Sequence, residues 1–403
     1  MTDPMTSPSS SPDLSGLSRR ALLGVGGLGG IAAVGALGTA SPAAAAESPG
    51  RSASKGHRDW TGTSLVLLGT AGGPLLNTTG HRGISTAVVH DNRVYIVDLG
   101  HGSLEQIDAA GLAGEGASAL VNVRSVLFTH LHSDHVTEWP AMYMVSPSNT
   151  NSGRLPQPIQ VFGPGDRGTL PPVSPPNRSA PTPVNPSEPT PGIVRMTTYL
   201  RSAFASDLND RIRDSNLVDP DSVFAVHDID ISAYWHVDPQ GIPPVLPVGT
   251  RIPVWVDGDV TITATLVNHH PTAPAFGFRF DTPQGSIVMS GDTAPSENLI
   301  DLAQGADYLV HEVIDPAWVD DLVAGLPPAS QGPVRAHLLN AHTTIDQVGQ
   351  VAEAAHAKTL VLTHLGPADL SPSRLGPIRR AFSGEVILGR DLLQLRLDKH
   401  GRH

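Results

Sequence analysis

The chain has 403 residues, enough for one large or two ordinary domains, with 39% hydrophobic and 16% charged residues, 41 glycines and 37 prolines. Lys+Arg 26 against Asp+Glu 38 gives a net charge of −12, and the lysines are Lys55, Lys358 and Lys399 alone, so the chain has no general attraction for nucleic acid or anionic lipid. The absence of cysteine excludes disulfides and thiolate metal ligands and leaves Asp, Glu and 18 histidines as the stock for any metal.

The N-terminal segment reads as an export address. Ser18-Arg19-Arg20-Ala21-Leu22-Leu23 is a twin-arginine start, followed by an uncharged Gly/Ala-rich run and Ala44-Ala45-Ala46, a small-residue cleavage site before Glu47. An uncleaved anchor is the alternative, since the run is about long enough to span a bilayer. Its glycines make it weakly apolar, so cleavage is the expected outcome. Residues 1–46 are thus expected to be a signal peptide and 47–61 a polar tether. The mature protein is expected outside the cytoplasm, periplasmic or extracellular, without stable membrane association.

From residue 62 onward short apolar runs alternate with Gly, Asp and His. The pattern predicts strands over 64–68, 85–90, 93–97 and 125–128, a helix starting at Glu138 and running to Val145, and a strand over 159–162. Residues 165–258 read as a Pro-rich, irregular insertion outside the core, with one amphipathic helix over 195–212. Strands follow over 260–268, 276–281, 286–290 and 308–310, then a helix over 345–356 and strands over 359–362 and 385–388. Strands in the first half, an irregular middle and then strands alternating with helices predict an α/β architecture of two packed mixed sheets with helices outside.

The densest chemistry is His130-Leu131-His132-Ser133-Asp134-His135, directly after the apolar strand that ends in Phe128-Thr129. A strand end is a rigid platform. His130 and His132, two residues apart, face one side of an extended segment, while Asp134 and His135 fall in the turn. Imidazoles with a carboxylate suit a borderline divalent cation; a solvated polar turn is the bland alternative. The same signature, a His or Asp just after an apolar strand, recurs at His269-His270, at Gly291-Asp292-Thr293 and at His364. Read alone, His342 before Thr343-Thr344 is a helix-start residue, Glu312 a strand-end carboxylate, and Asp98 either a strand-end cap or a support for a ligand histidine.

The order Leu68-Gly69-Thr70, Asp98, His130-x-His132-x-Asp134-His135, His269, Ser290-Gly291-Asp292-Thr293, His311-Glu312, His342-Thr343-Thr344 and Thr363-His364 resembles the metallo-β-lactamase superfamily. Within it, the chain is similar to the branch of ribonuclease Z and the zinc-dependent arylsulfatases, over about residues 62–392. The resemblance implies an αββα sandwich and two divalent cations, zinc before others. One would sit on His130, His132 and His269, the second on Asp134, His135 and His364, with Asp292 bridging. Spacing does not separate His269 from His270; the following Pro271 and Phe276-Gly277-Phe278-Arg279 resemble the branch more with His269 as ligand. Asp134, His342 and Glu312 are the catalytic residues the resemblance implies, with Glu312 orienting His342 as general acid.

Two such cations lower the pKa of a bridging water and give a hydroxide that attacks a phosphorus, sulfur or acyl centre. The expected substrate is a small anionic ester, an aryl or alkyl sulfate or a phosphodiester. Ribonuclease Z-like action on RNA is a weaker expectation, because the segment after Gly163-Pro164 is proline-rich and then acidic, with no lysine between Lys55 and Lys358. Lactone or β-lactam hydrolysis makes less use of the His342–Glu312 pair, and a non-catalytic metal-stabilised binding domain would lack a ligand or proton donor. Oligomeric state stays open, a homodimer included.

Overall fold

The computed structural model describes residues 59–75 and 80–397; the expected signal peptide and the twin-arginine motif lie outside the described residues. Leu65, Val66, Leu67 and Leu68 are all buried, and strand alternation sends them to two different cores. Leu65 and Leu67 point between two sheets, while Val66 and Leu68 point outward under helices. Strands covered on both faces read as continuous apolar runs.

In chain order the elements are β1 (Thr63–Gly69), β2 (Ser85–His90), β3 (Arg93–Val97), α1 (Ser103–Ala109), β4 (Val123–Leu127), α2 (Ser133–Val136), α3 (Trp139–Asn149), β5 (Ile159–Pro164), α4 (Ile193–Ala203), α5 (Ala205–Asp214) and β6 (Phe224–Ile229). There follow β7 (Ile252–Asp257), β8 (Val260–Leu266), β9 (Phe276–Thr282), β10 (Gly285–Met289), α6 (Glu297–Leu302), β11 (Tyr308–Ile314), α7 (Pro316–Ala324), α8 (Pro328–Ala341), α9 (Val348–Ala354), β12 (Thr359–Gly366), α10 (Gly376–Ala381), β13 (Glu385–Leu388) and β14 (Gln394–Leu397). The first sheet runs β14-β1-β2-β3-β4-β5-β6 and the second β13-β12-β11-β10-β9-β8-β7. Both are mixed. β3 through β6 are mutually parallel, as are β10 through β13, and the remaining neighbours are antiparallel.

One core lies between the sheets, where Leu127 and Phe162 of the first join Phe276, Phe278, Phe280 and Val361 of the second. A second packs α1, α3 and α4 on the outer face of the first sheet through Ile107, Trp139, Met142 and Ile193. A third packs α6, α9 and α10 on the second through Leu299, Val351 and Ile378. The result is the αββα sandwich.

Three expectations need correction. Residues 165–258 are not wholly an irregular insertion: Phe224–Ile229 is the edge strand of the first sheet and Ile252–Asp257 that of the second. Edge strands are half exposed, so their apolar signal is weak; Trp255 and Val256 lie between Pro253 and Asp257. The helix expected over 195–212 is two helices that meet at Phe204, whose φ of −100° and ψ of 17° leave the helical range. The helix expected to begin at Ile345 begins at Val348. Ile314 N donates to Thr343 O and Ile345 N to Ile314 O, so residues 343–345 run extended along the end of β11 instead.

Candidate metal centre

The parallel strands of both sheets deliver their carboxyl ends to one edge of the sandwich, and the candidate residues stand on those ends. β4 leads into His130, β10 into Asp292, β11 carries Glu312 and β12 carries His364. α2 begins at Ser133, straight after His132, and turns Asp134 and His135 back toward the site. Gly291 makes the turn before Asp292 with φ 60°; a Cβ there would stand 2.6 Å from the carbonyl oxygen of Phe276.

Among the described residues four ligand-like groups result, each with its side-chain atoms within 4.8 Å of one another: two include His342 (with His269 and Asp292, and with Glu312 and His364), and two match the expected sets, His130, His132 and His269, and Asp134, His135, Asp292 and His364. Asp292 Oδ2 joins the last two. It lies 3.3 Å from His135 Nε2, 3.2 Å from His364 Nε2, and 3.9 Å from both His130 Nε2 and His269 Nε2. His269 is the member of the 269–270 pair brought into the site; His270 Nδ1 turns to Asn268 Oδ1 at 3.1 Å.

Hydrogen bonds behind the site set which ring nitrogen faces it. His269 Nδ1 donates to the carbonyl of Ala341 at 2.9 Å, which leaves Nε2 as the inward atom. His135 Nδ1 donates to Asp98 Oδ2 at 2.8 Å, with the same consequence. Asp98 serves both readings made of it, since it also accepts from Thr129 N at 2.9 Å and Thr129 Oγ1 at 2.8 Å and so fixes the residue before His130. His132 is reversed: Thr272 Oγ1 engages its Nε2 at 2.7 Å, and Nδ1 stands 3.1 Å from His269 Nε2. Such outer partners fix tautomer and ring orientation at metal sites.

The donor set fits divalent cations. His130 Nε2, His135 Nε2 and Asp292 Oδ1 are fully buried without a hydrogen-bond partner, a costly arrangement unless an ion takes their lone pairs. Burial, then the neighbouring histidines, holds His130 well below the ordinary imidazole range, in the neutral form a ligand needs. At His135 burial acts the same way, but Asp292, Asp98 and Asp134 outweigh it and favour the charged ring. Protons there stand in for the positive charge that cations would bring.

His342 follows α8 directly and is held by the extended 343–345 segment. Its Nδ1 donates to both oxygens of Glu312, at 3.0 and 2.9 Å, and Glu312 Oε1 also accepts from Thr293 N at 2.6 Å. Nε2 makes no hydrogen bond to protein among the described residues. Burial opposes charge on this ring, yet Glu312 and then Asp292 raise its pKa to about 9. His342 Nδ1 is 4.0 Å from Asp292 Oδ2, so it borders the metal groups without being separated from them by distance alone. His311 is buried outside every ligand-like group among the described residues. Arg82 pairs with Glu105 at the surface.

A β-lactamase superfamily domain matches residues 220–365. The ribonuclease Z of Mycobacterium bovis strain BCG is 30% identical over 334 residues, which cover 81% of this chain and 96% of that protein. The chain belongs to the metallo-β-lactamase superfamily, among its ribonuclease Z-like hydrolases. The ribonuclease Z of Mycobacterium avium strain 104 is also 30% identical, over 83% of this chain and 98% of its own length. Among solved structures, the short form of human tRNase Z (18% identical, TM-score 0.50) covers 83% of this chain and 99% of its own. The Zn(2+)-bound PqqB of Methylobacterium extorquens (15% identical, TM-score 0.50) covers 83% and 100%. Both share the superfamily fold.

Two contributors escaped the sequence reading. Thr272 carries no pattern, because its role depends on His132 far away in the chain. His337 belongs to no motif, yet its ring centroid stands 6.3 Å from that of His132 and 6.0 Å from that of His269. Its signal was the spacing Val334, His337, Leu338, Ala341, one face of a helix.

Proposed function

We propose that this hydrolase is an exported enzyme that cleaves a small anionic ester, a sulfate ester or a phosphodiester, with two divalent cations, zinc before others, and His342 as proton donor. The observation that carries the reading is the buried His342–Glu312 pair, at 2.9 Å, beside a cluster of histidines and carboxylates with unpartnered inward atoms. His130, His132 and His269 would hold one cation and Asp134, His135 and His364 the other, with Asp292 between them. When bound, the two cations would lower the pKa of a shared water and polarise the ester oxygens.

The protein's own part is positional and protonic. Asp98 and Ala341 O keep His135 and His269 with Nε2 inward. Glu312 holds the proton of His342 at Nδ1, so that Nε2 carries the proton to be given to the leaving oxygen. Such a proton matters for an alcohol leaving group of high pKa and little for one that departs as a stable anion.

The charge of the 165–258 segment supports a small substrate over RNA. It holds seven arginines and no lysine against eleven carboxylates. Arg195, Arg201, Arg211 and Arg251 are engaged by Glu188, Asp219, Asp207 and Asp301, and Arg167 by backbone carbonyls. A surface that grips several phosphates needs free cations. RNA cleavage is the second reading, favoured by the ribonuclease Z relatives. The test is turnover of p-nitrophenyl phosphodiester, sulfate and lactone substrates and of a structured RNA, with and without chelator. Chelator-sensitive turnover of the phosphodiester or sulfate is expected; turnover of RNA alone would favour the second reading.

A further inference from the structure

The α7–α8 hairpin stands in the chain between Glu312 and His342, the two halves of the proton-donor pair. Its contacts form a small core of their own, in which Ile314, Val319 and Val323 pack with Trp318, Val334 and Leu338, apart from the three cores of the sandwich. The inner face of this hairpin meets the site at two places. Ile314, Trp318 and Leu338 close one side of a 40 Å³ cavity whose other side is Glu312, His342 and His364. One residue before Leu338, the His337 ring stands 6.3, 6.0 and 6.2 Å between centroids from His132, His269 and His342. At those separations, and at interplanar angles of 71°, 56° and 84°, the His337 ring meets the three others edge-on and so lies directly against the site. The half-buried His337 ring makes no hydrogen bond to protein among the described residues.

We propose that this hairpin selects the substrate: His337 donates a hydrogen bond to an oxygen of the anionic ester, and Trp318, Leu338 and Ile314 seat a short apolar alcohol portion beside His342. The inference rests on the ester-hydrolase reading and narrows it. A cavity of 40 Å³ takes about three waters, which is the scale of a short alkyl chain and far below a nucleoside. Its hairpin wall carries no charge, so the acid portion lies with His337 and the metal-ligating groups, and the alcohol portion against the indole.

The test uses the zinc-loaded full-length mature protein with two pairs of esters whose leaving alcohols are nearly equal in acidity. These are methyl propyl and methyl cyclohexylmethyl phosphate, and propyl and cyclohexylmethyl sulfate. Wild type is expected to prefer propyl. Trp318→Ala, which enlarges the pocket, should invert that preference, and Leu338→Phe, which fills it, should exclude cyclohexylmethyl further, each by about 10-fold or more. His337→Ala should lower kcat/KM on both esters about 10–100-fold with metal content unchanged, and His337→Asn, which keeps a side-chain N–H, should recover part of it. Equal effects of Trp318→Ala and Leu338→Phe on both esters overturn the pocket assignment, and loss of metal or an unchanged rate in His337→Ala overturns the role of His337. A wild type that turns over neither p-nitrophenyl phosphodiester nor p-nitrophenyl sulfate overturns the ester-hydrolase reading itself, and this inference with it.

Discussion

Glu312→Gln separates the orientation of His342 from its charge. The amide keeps the shape of the carboxylate but removes the negative charge that, against burial, holds His342 at a pKa of about 9. A general acid works in its protonated form, so a raised pKa extends activity upward, and activity is lost as pH rises through that pKa. In this variant the ring falls to the ordinary value of about 6.5 or below. At pH 8 a group of pKa 9 is about 90% protonated and one of 6.5 about 3%, a difference of about 30-fold; at pH 6.5 it shrinks to about 2-fold. Bound cations would screen Asp292 and Asp134 and lower both alkaline limbs together, leaving the gap that Glu312 makes. The assay is kcat/KM against pH for an alkyl ester and its p-nitrophenyl counterpart. The loss should grow with pH on the alkyl ester and stay small on the p-nitrophenyl ester, whose leaving group departs without a proton. A loss of the same size on both esters, or one that does not change between pH 6.5 and 8, refutes the assignment of His342 as a proton donor tuned by Glu312.

Asp292→Ala should lower bound metal, measured by elemental analysis, because Asp292 Oδ2 lies within 3.9 Å of nitrogens in both ligand groups. His342→Ala should keep its metal and slow alkyl esters by about 10²–10⁴; loss of metal would make His342 a ligand instead. Asp98→Ala should weaken metal affinity about 10–100-fold in a competition titration with a chelating dye, since it frees both His135 and Thr129; unchanged affinity would limit Asp98 to capping. For export, N-terminal sequencing should find the mature chain starting near Glu47, and Arg19→Lys with Arg20→Lys should trap precursor in the cell; undiminished export of that pair would remove the twin-arginine reading.

What the sequence made legible was local. His130 through His135 lie within one strand end and one turn, so six residues announce the site. Asp292 and His364 stand at the ends of apolar strands whose runs are easy to read. The choice between His269 and His270 was not local: it is made by the carbonyl of Ala341, 72 positions away. The edge strands β6 and β7 were hidden because one flank of each faces solvent, which halves their apolar signal. α7 and α8 were hidden differently. Pro316, Pro327, Pro328, Gly332 and Pro333 break up the helical pattern, and the hairpin buries its apolar residues in a small core of its own.

The last strand closes the first sheet. β14 pairs antiparallel with β1, Leu397 opposite Thr63, and fills the edge that β2 leaves open. As the chain emerges from the ribosome, β1 is among the first described elements to appear, and it waits for more than three hundred residues with one row of backbone donors and acceptors unpaired. Such an apolar edge is a template for pairing with other chains. The sandwich therefore closes only once Gln394–Leu397 has been made, and the site is completed almost as late, when His364 on β12 arrives.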